Sequence, residues 1–310
     1  MAGRRRAKIF LALVLCGFVM LGALYGGLAW SAGEPARAHP FFAGALAANR
    51  PLVIAHRGGA GLWPENTLHA FERAFELGAD VIELDVRPSA EGELVVMHDP
   101  TLERTTDGAG SVAAKSVAEL KRLDAGHRWT ADGGKSFPFR GRGLTVPTLR
   151  EVFERLPAAR FNIEPKGESS QAVGRLCRLL RERGMTERVV VGSFRQGLIE
   201  EFRRACPEVA TAAGPVEASK FLALYQAGLA KSFSPAMQAL QIPEHAGGVR
   251  VVTAEFVAAA RERNLQVHAW TINDEAAMRR LVEAGVDGIM TDYPDRLLAL
   301  VRPAKPAGGE

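Results

Sequence analysis

Residues 81–97, with the sequence VIELDVRPSAEGELVVM, contain two apolar runs that lie too close together to form a parallel pair of strands. Only seven residues, Arg87–Glu93, separate the run that ends at Val86 from the run that begins at Leu94. A parallel crossover needs about a dozen residues or more, so the spacing predicts an antiparallel hairpin that turns around Glu91-Gly92. The second run is therefore expected to return antiparallel to the first.

Along the rest of the chain, short apolar runs alternate with helical patterns, which is typical of an α/β fold with parallel strands. The nine strand candidates are Leu52–Ala55, Val81–Val86, Leu94–Met97, Arg160–Glu164, Val189–Phe194, Val209–Ala213, Met237–Ile242, Gln266–Thr271 and Gly288–Thr291. Without the returning run, eight remain, which predicts a (β/α)₈ TIM barrel. A doubly wound open sheet is the alternative, but Gly58-Gly59-Ala60-Gly61 lacks the G-x-G-x-x-G spacing of a nucleotide loop.

Glu83 and Asp85 are two residues apart on a predicted strand, so both carboxylates point to one face. In a barrel that face is the interior, where two converging carboxylates repel each other unless a cation offsets their charge. A hard divalent metal with oxygen ligands, Mg²⁺ or Ca²⁺, is the economical explanation. The alternative of surface charges on an edge strand fits poorly with the apolar neighbours Leu84 and Val86.

A third carboxylate, Glu164, follows another apolar run, and Lys166 comes two residues later. Active sites of barrels lie at the C-terminal ends of the strands, which is where this sequence places both side chains. A metal ligand beside a phosphate-binding ammonium is one interpretation. A structural ion pair between the two residues is the other.

Two histidines follow apolar runs in the same way. His56-Arg57-Gly58-Gly59 comes after the first strand candidate, and His98-Asp99 comes after the returning run of the hairpin. Imidazoles exchange protons near neutral pH, and a guanidinium forks two donors onto phosphate oxygens. The glycines let the backbone approach a ligand closely. Together the two histidines provide the acid and the base that ester hydrolysis needs.

The chain resembles the glycerophosphodiester phosphodiesterase family. The matching stretches occur in the family order between residue 52 and about residue 300. They are Ala55-His56-Arg57-Gly58-Gly59, Pro64-Glu65-Asn66-Thr67, Glu83-Leu84-Asp85-Val86, Val96-Met97-His98-Asp99, Asn162-Ile163-Glu164-Pro165-Lys166, His268-Ala269-Trp270-Thr271-Ile272-Asn273 and Gly285-Val286-Asp287-Gly288-Ile289-Met290-Thr291-Asp292-Tyr293-Pro294.

The resemblance implies a (β/α)₈ barrel that hydrolyses small glycerophosphodiesters to sn-glycerol 3-phosphate and an alcohol with a divalent metal. It implies that His56 and His98 are the acid–base pair, that Glu83, Asp85 and Glu164 bind the metal, and that Arg57 and Lys166 contact the phosphate. Trp270 is a candidate for the wall of the substrate pocket, with core packing as the alternative. Residues from about 105 to 146 match the insertion that these enzymes carry beside the active site.

Two alternatives to this activity remain open. One is a phospholipase-like phosphodiesterase that acts on intact lipids or stops at a cyclic phosphate. The other, of a different class, is a catalytically inactive, membrane-tethered binding module.

The N-terminal segment carries the basic balance of the chain. Its basic end, residues 1–8, has four positive side chains, and these account for the whole formal net charge of +4. This charge indicates topology and gives no nucleic-acid footprint. Residues 9–30 are uncharged and predict a transmembrane anchor, with the catalytic domain outside the cytoplasm. A signal peptide cleaved at Ala36-Arg37-Ala38, which would make the protein secreted, is the alternative.

The remaining boundaries follow from composition. Residues 31–48 are rich in Pro, Ala and Gly and predict a linker, 49–302 form the barrel, and 303–310 are a frayed tail. Cys177 and Cys206 match no disulfide framework or zinc spacing. We expect two buried, unpaired thiols, with a disulfide as the alternative in an oxidising compartment.

Overall fold

Eight parallel strands form a barrel. They are β1 (Leu52–Ala55), β2 (Val81–Pro88), β4 (Phe161–Pro165), β5 (Val189–Val191), β6 (Ala210–Thr211), β7 (Ala239–Ile242), β10 (Gln266–Ala269) and β11 (Gly288–Thr291), while β3 (Leu94–Val96), β8 (His245–Ala246) and β9 (Val249–Arg250) are additional strands. The order around the barrel is β6-β5-β4-β2-β1-β11-β10-β7. A parallel bridge between Ala212 and Ala239 joins the two ends of the order. The predicted (β/α)₈ barrel is therefore confirmed.

The computed structural model describes residues 2–47, 50–167 and 170–302. Within these ranges the side chains of residues 2–9, 11, 12, 18, 24, 28, 44–47 and 170 are not described. The predicted tail at 303–310 and the basic side chains of the first eight residues thus lie outside the described part.

The hairpin expected from the spacing at residues 81–97 is present. Strand β3 pairs antiparallel with β2, and Val86 lies opposite Val96. The chain turns where the Gly92 amide donates to the Ser89 carbonyl, with Gly92 at φ 76°. This pairing brings the end of β3, and His98 after it, back toward the mouth of the barrel.

The structure describes eleven α-helices, most of which follow a strand and cover the outside of the barrel. They are α1 (Ala2–Trp30), α2 (Pro40–Ala47), α3 (Leu68–Leu77), α4 (Val117–Leu120), α5 (Leu149–Arg155), α6 (Ser170–Glu182), α7 (Gln196–Ala205), α8 (Pro215–Gln226), α9 (Ala254–Arg261), α10 (Glu275–Glu283) and α11 (Pro294–Val301). Ser116 and Thr148 begin α4 and α5 with complete capping boxes. A second hairpin, β8–β9, is not evident in the sequence because its two exposed two-residue strands contain no apolar run.

Residues 99–147, which include the predicted insertion, fold beside the barrel mouth. They carry α4 and a separate apolar cluster that includes Leu102, Val112 and Leu120. The Trp129 indole donates to the Ala60 carbonyl at 3.0 Å, which attaches this segment to the loop after β1. The insertion is therefore a folded part of the mouth.

The N-terminal helix α1 includes residues 9–30, where the sequence predicts a membrane anchor. Among the residues that the structure describes, no helix is long and apolar enough to cross a membrane. The predicted anchor therefore has no support from the structure.

Residues 31–47 pack against the barrel, whereas the sequence predicts a linker over 31–48. Ala36 is buried and its amide donates to the Arg263 carbonyl at 2.8 Å. The Asn264 amide group donates back to the Ala36 carbonyl at 2.7 Å. We call residues 31–42 the N-terminal arm. Its composition resembles that of a loop, because the hydrogen bonds use the arm's own backbone groups, which leave no apolar pattern in its sequence.

The arm ends in two aromatic side chains that close the barrel at its N-terminal end. Phe41 and Phe42, at the start of α2, are buried in a cluster with interior residues of the strands. Several of these interior residues are small, including Ala210 and Ala239, which leaves room for two rings. The Arg160 guanidinium donates to the Phe41 carbonyl at 3.0 Å and fixes α2 in place.

A disulfide links Cys177 in α6 to Cys206 after α7. The expectation of two unpaired thiols is therefore wrong, and the alternative that the sequence left open is what forms. Sequence spacing could not decide this, because the pairing depends on the packing of the two helices, which brings the Cα atoms to 5.7 Å.

Candidate active site

The predicted site residues meet in one cavity of about 490 Å³ at the C-terminal ends of the barrel strands. All eight line it: His56, Arg57, Glu83, Asp85, His98, Glu164, Lys166 and Trp270. They come from β1, β2, β4, β10 and the segment after β3, which are distant in sequence and adjacent in the barrel. Sequence reasoning therefore identified residues that the fold brings together.

Three carboxylates form the centre of the cavity. Glu83 and Asp85 alternate with Leu84 along β2, and β4 places Glu164 directly opposite Asp85 in the strand register. One oxygen from each carboxylate lies within 4.8 Å of the others. The alternation predicted from the sequence thus directs all three side chains to the same point.

Two cationic side chains offset part of this charge. The Lys166 ammonium lies 3.1 Å from Asp85 and 2.7 Å from Glu164. The Arg57 Nε atom lies 3.5 Å from Asp85. Burial favours the neutral carboxyl at Asp85, but Lys166 and Arg57 outweigh it and lower the pKa of Asp85. The ion pair between Glu164 and Lys166, one of the two interpretations of the sequence, is thus present. It lies inside the cavity with the other carboxylates.

In the described part of the chain, no lysine or arginine side chain forms an ion pair with Glu83. Its closest donor is the backbone amide of Arg57, 2.7 Å away. Burial, reinforced by the charge of Asp85, raises the pKa of Glu83 to about 8. Burial also raises the pKa of Glu164. An excess of buried carboxylate charge at short mutual distances fits a hard divalent cation with oxygen ligands. The cluster therefore has the donor set of a metal site.

A second group in the described part of the chain has the composition of a metal site: Cys177, Cys206 and Glu208. Its two sulfur atoms are bonded to each other in the disulfide. The thiolates that a metal needs are absent while this bond is intact, so the carboxylate cluster is the better candidate.

His56 stands between two carboxylates. Its Nδ1 atom lies 2.7 Å from Asp292 Oδ1, and its Nε2 atom lies 4.0 Å from Glu83 Oε2. Burial lowers the pKa of His56, but Glu83 and Asp292 outweigh burial and raise it. Because the Asp292 carboxylate accepts from Nδ1–H, the Nε2 atom is left for the carboxylate cluster.

His98 has a similar partner but a different environment. Its Nδ1 atom lies 2.6 Å from Asp99 Oδ1. Burial lowers the pKa of His98 more than Asp99 raises it. Each histidine is thus oriented by an aspartate on Nδ1, and the two imidazoles differ in basicity.

The sequence does not identify the residues that hold the histidines, carboxylates and cationic side chains of the site in place. Six side chains make such contacts: Asp292, Asp99, Glu65, Asn66, Arg104 and Asn273. Asn66 donates to Asp85 at 3.0 Å, and Asn273 donates to Asp292 at 2.6 Å. Several of them lie in the stretches that carry the family resemblance. A residue that only orients another side chain, however, lies in no local sequence pattern that indicates its role.

The glycines after His56 have a packing role. Gly58 and Gly59 adopt φ values of 83° and 93°, which few other residues tolerate. A Cβ atom on Gly58 would lie 2.8 Å from Ala70 Cβ, and one on Gly59 would lie 3.1 Å from Trp63. The glycines therefore allow the loop to pack on α3 and on Trp63, which sets the position of His56.

One side of the cavity is apolar. Phe194 and Trp270 contact each other edge to face with centroids 5.3 Å apart, and Phe194 is 60% exposed. The apolar wall continues through Leu222, Ile242 and Val251. Trp270 thus belongs to a wall that extends well beyond the carboxylate cluster.

Known proteins are similar to this chain over most of its length. The family model described as the glycerophosphoryl diester phosphodiesterase family matches residues 56–296. A glycerophosphodiester phosphodiesterase from Caldanaerobacter subterraneus is 37% identical over 258 residues, which cover 82% of this chain and 98% of that protein. A Bacillus subtilis protein of the same name is 33% identical over 263 residues, covering 81% and 86% of the two chains.

Solved structures show the same fold. A putative glycerophosphoryl diester phosphodiesterase from Silicibacter pomeroyi is 28% identical with a TM-score of 0.68, covering 83% of this chain and 96% of that one. A phosphodiesterase from Oleispira antarctica, solved with its product sn-glycerol-3-phosphate, is 27% identical with a TM-score of 0.67, and the coverage is 83% and 98%. The chain therefore belongs to the glycerophosphoryl diester phosphodiesterase family and, as the sequence predicts, is a phosphoric diester hydrolase.

Proposed function

We propose that this enzyme hydrolyses glycerophosphodiesters to sn-glycerol 3-phosphate and an alcohol, using a divalent metal and two histidines. The observation that carries the proposal is the convergence of two histidines, three carboxylates and two cationic side chains in one cavity. A phosphodiester needs a base, an acid and positive charge around the phosphorus, and the cavity contains each of these. The same complete set argues against an inactive binding module.

Glu83, Asp85 and Glu164 would hold the metal, which we propose to be Mg²⁺ or Ca²⁺. When bound, such an ion polarises a phosphoryl oxygen and helps to neutralise developing charge. Arg57 and Lys166 hold the other phosphate oxygens, because both cations already face the carboxylate cluster. Trp270 packs against the substrate.

His56 acts as the general base and His98 as the general acid. Asp292 on Nδ1 leaves His56 Nε2 free to take the proton of the attacking hydroxyl. Glu83 and Asp292 both raise the pKa of His56, and a cation held by Glu83 would offset the part that Glu83 contributes. The lowered pKa of His98 makes its imidazolium a stronger acid toward the leaving alkoxide. The nucleophile is water, or the glycerol 2-hydroxyl through a cyclic phosphate.

The histidine roles are tested with two substrates that share the glycerophosphate and differ in the leaving group. Glycerophosphocholine releases a poor leaving group, whereas glycerophospho-p-nitrophenol releases one that needs no proton. We expect His56→Ala to lower kcat on both substrates by about 10²–10⁴-fold. We expect His98→Ala to lower it by that amount on the choline ester and much less on the nitrophenyl ester. If His56→Ala, rather than His98→Ala, spared the nitrophenyl ester, the acid and base roles would be exchanged. If either variant kept near-normal activity, the histidine replaced in it would have no catalytic role.

Metal dependence is tested by chelation, followed by Mg²⁺ or Ca²⁺ added back in turn. We expect activity to disappear on chelation and to return with at least one ion. Direct calorimetry provides a second measurement, in which Glu83→Gln and Glu164→Gln should weaken binding of the same ion. Activity that survives chelation would refute the metal site.

A second candidate substrate is a lipid with one acyl chain, which corresponds to the phospholipase-like alternative. The apolar wall from Trp270 through Leu222 to Val251 favours it, because glycerophosphocholine alone leaves such a wall unused. We would compare kcat/KM for glycerophosphocholine and a lysophosphatidylcholine below its micellar concentration. Leu222→Asp should selectively impair the lipid. Equal turnover ratios in wild type and variant would dismiss this candidate.

We also propose that the barrel functions outside the cytoplasm. The Cys177–Cys206 disulfide supports this location, since disulfides persist in oxidising compartments. When the protein is taken from cells of the source organism and denatured, Cys177 and Cys206 should not react with a thiol-reactive reagent unless a reductant is added first. Cys16→Ser removes the free cysteine from the assay. Labelling of both without reduction, or recovery of the protein with the cytoplasmic fraction, would contradict the location.

A further inference from the structure

Arg104 joins the two loops that carry the catalytic histidines. Its Nε atom lies 2.5 Å from Asp99 Oδ2, in the loop after β3. Its two terminal nitrogens lie 2.7 and 2.8 Å from the two oxygens of Glu65, in the loop after β1. One guanidinium therefore connects segments that enter the mouth from different strands.

Each of the two carboxylates has a second partner inside the site. Asp99 uses its other oxygen to accept from His98 Nδ1 at 2.6 Å. Glu65 also accepts from Arg57 at 2.9 Å. The chain of contacts thus runs from His98 through Asp99, Arg104 and Glu65 to Arg57. It connects the proposed acid to a proposed phosphate contact, whereas Arg104 itself is not among the residues that line the cavity.

The backbone around Arg104 is held firmly. Leu102 and Thr106, on either side, are both completely buried. The Thr106 hydroxyl and amide both donate to the Leu102 carbonyl, at 2.8 and 3.1 Å. The half-exposed guanidinium consequently projects from a fixed support, and it can fix the orientation of the carboxylates that it contacts.

We propose that Arg104 is a positioning residue that aligns His98 and Arg57 through Asp99 and Glu65. This inference rests on the proposed function, in which His98 protonates the leaving group. Three donors of one planar group are used in two directions, a geometry that a lysine ammonium does not reproduce. The role therefore calls for arginine in particular.

The test uses the two leaving groups described above. Arg104→Met should lower kcat on glycerophosphocholine by about 30-fold, a part of the usual contribution of general acid catalysis, and on glycerophospho-p-nitrophenol by less than about threefold. KM should rise by about threefold on both, since Arg57 contacts the phosphate that they share. Arg104→Lys should recover only a small part of the kcat.

Arg181→Met is the matched control. Arg181 forms a similar two-point pair with Glu208 on the outer surface and is exposed to the same degree as Arg104. It should leave both substrates unaffected, and the melting temperatures of the two variants should be similar. Arg104→Met with kinetics like those of the control, or with equal losses on both substrates, would overturn the inference.

His98→Ala in the same series separates this inference from the proposed function. If His98→Ala loses the choline ester selectively and Arg104→Met does not, only the role of Arg104 fails. If His98→Ala keeps full activity, the proposed acid itself is wrong and Arg104 loses its target.

Discussion

The imidazole of His56 and the carboxylate of Asp292 lie 2.7 Å apart, although 236 residues separate them in the sequence. Strands β1 and β11 are neighbours in the barrel, and Ala55 pairs with Thr291 just before the two side chains. Asn273 holds the other oxygen of Asp292 at 2.6 Å. Closure of the barrel therefore determines which ring nitrogen of His56 faces the carboxylate cluster.

Replacement of Asp292 by Asn should lower kcat on glycerophosphocholine by about 100-fold, because an amide no longer selects the Nδ1–H tautomer of His56. KM should change by less than about threefold, since Asp292 does not line the cavity. Asp295→Asn, on the exposed first turn of α11, is the control. A variant with normal kcat would show that His56 needs no partner.

Replacement of Phe41 by Ala should destabilise the barrel by about 3–5 kcal/mol, since a fully buried ring leaves a cavity at the N-terminal end. Thermal or urea unfolding measures the change, and Phe75→Ala on α3, where the ring is 41% exposed, is the comparison. Activity of the folded variant should be normal, because the mouth is at the other end. Equal stability of the two variants would mean that the arm does not close the barrel.

Reduction of the Cys177–Cys206 disulfide should lower stability by about 3 kcal/mol, the usual effect for a loop closed over a sequence separation of 29. Urea unfolding with and without reductant gives the difference. The double variant Cys177→Ser and Cys206→Ser should be less stable and insensitive to reductant. If reductant did not change the stability of the wild type, the disulfide between Cys177 and Cys206 would be contradicted.

The buried side chain of His268 should make the folded protein less stable in acid. Its side chain is completely buried, and burial lowers its pKa from 6.5 to about 4. Between these values the unfolded chain binds a proton that the folded chain does not, so stability decreases as the pH falls through this window. From pH 7.5 to pH 5, wild type should lose about 2 kcal/mol more than His268→Asn. Parallel pH profiles of the two proteins would exclude His268 as the cause.

The architecture was accessible from the sequence because strand alternation and short spacings are local properties. Glu83 and Asp85 share a face for that reason, and the hairpin that returns His98 follows from a short connection. The same logic located Glu164 and Lys166 at a strand end. The barrel, the hairpin and the charged residues at the strand ends were thus predictable from the sequence.

The supporting contacts were not accessible, because they depend on how distant segments pack. Arg104 meets Glu65 across 39 residues, and Asp292 meets His56 only after the barrel closes. The arm differs from the predicted linker because its own backbone groups bond to residues that are distant in the sequence, such as Arg263 and Asn264. The disulfide likewise depends on the contact between α6 and α7.

The arm enters the barrel at the end opposite the catalytic mouth, and this has a practical consequence for handling the enzyme. A fusion partner or a solid support attached ahead of residue 31 would be held on the closed side, while substrate would diffuse freely to the open side. The docked backbone of Ala36 would transmit little strain from such an attachment to His56. Immobilisation through the N-terminus should therefore give a surface-bound catalyst with the turnover of the free enzyme.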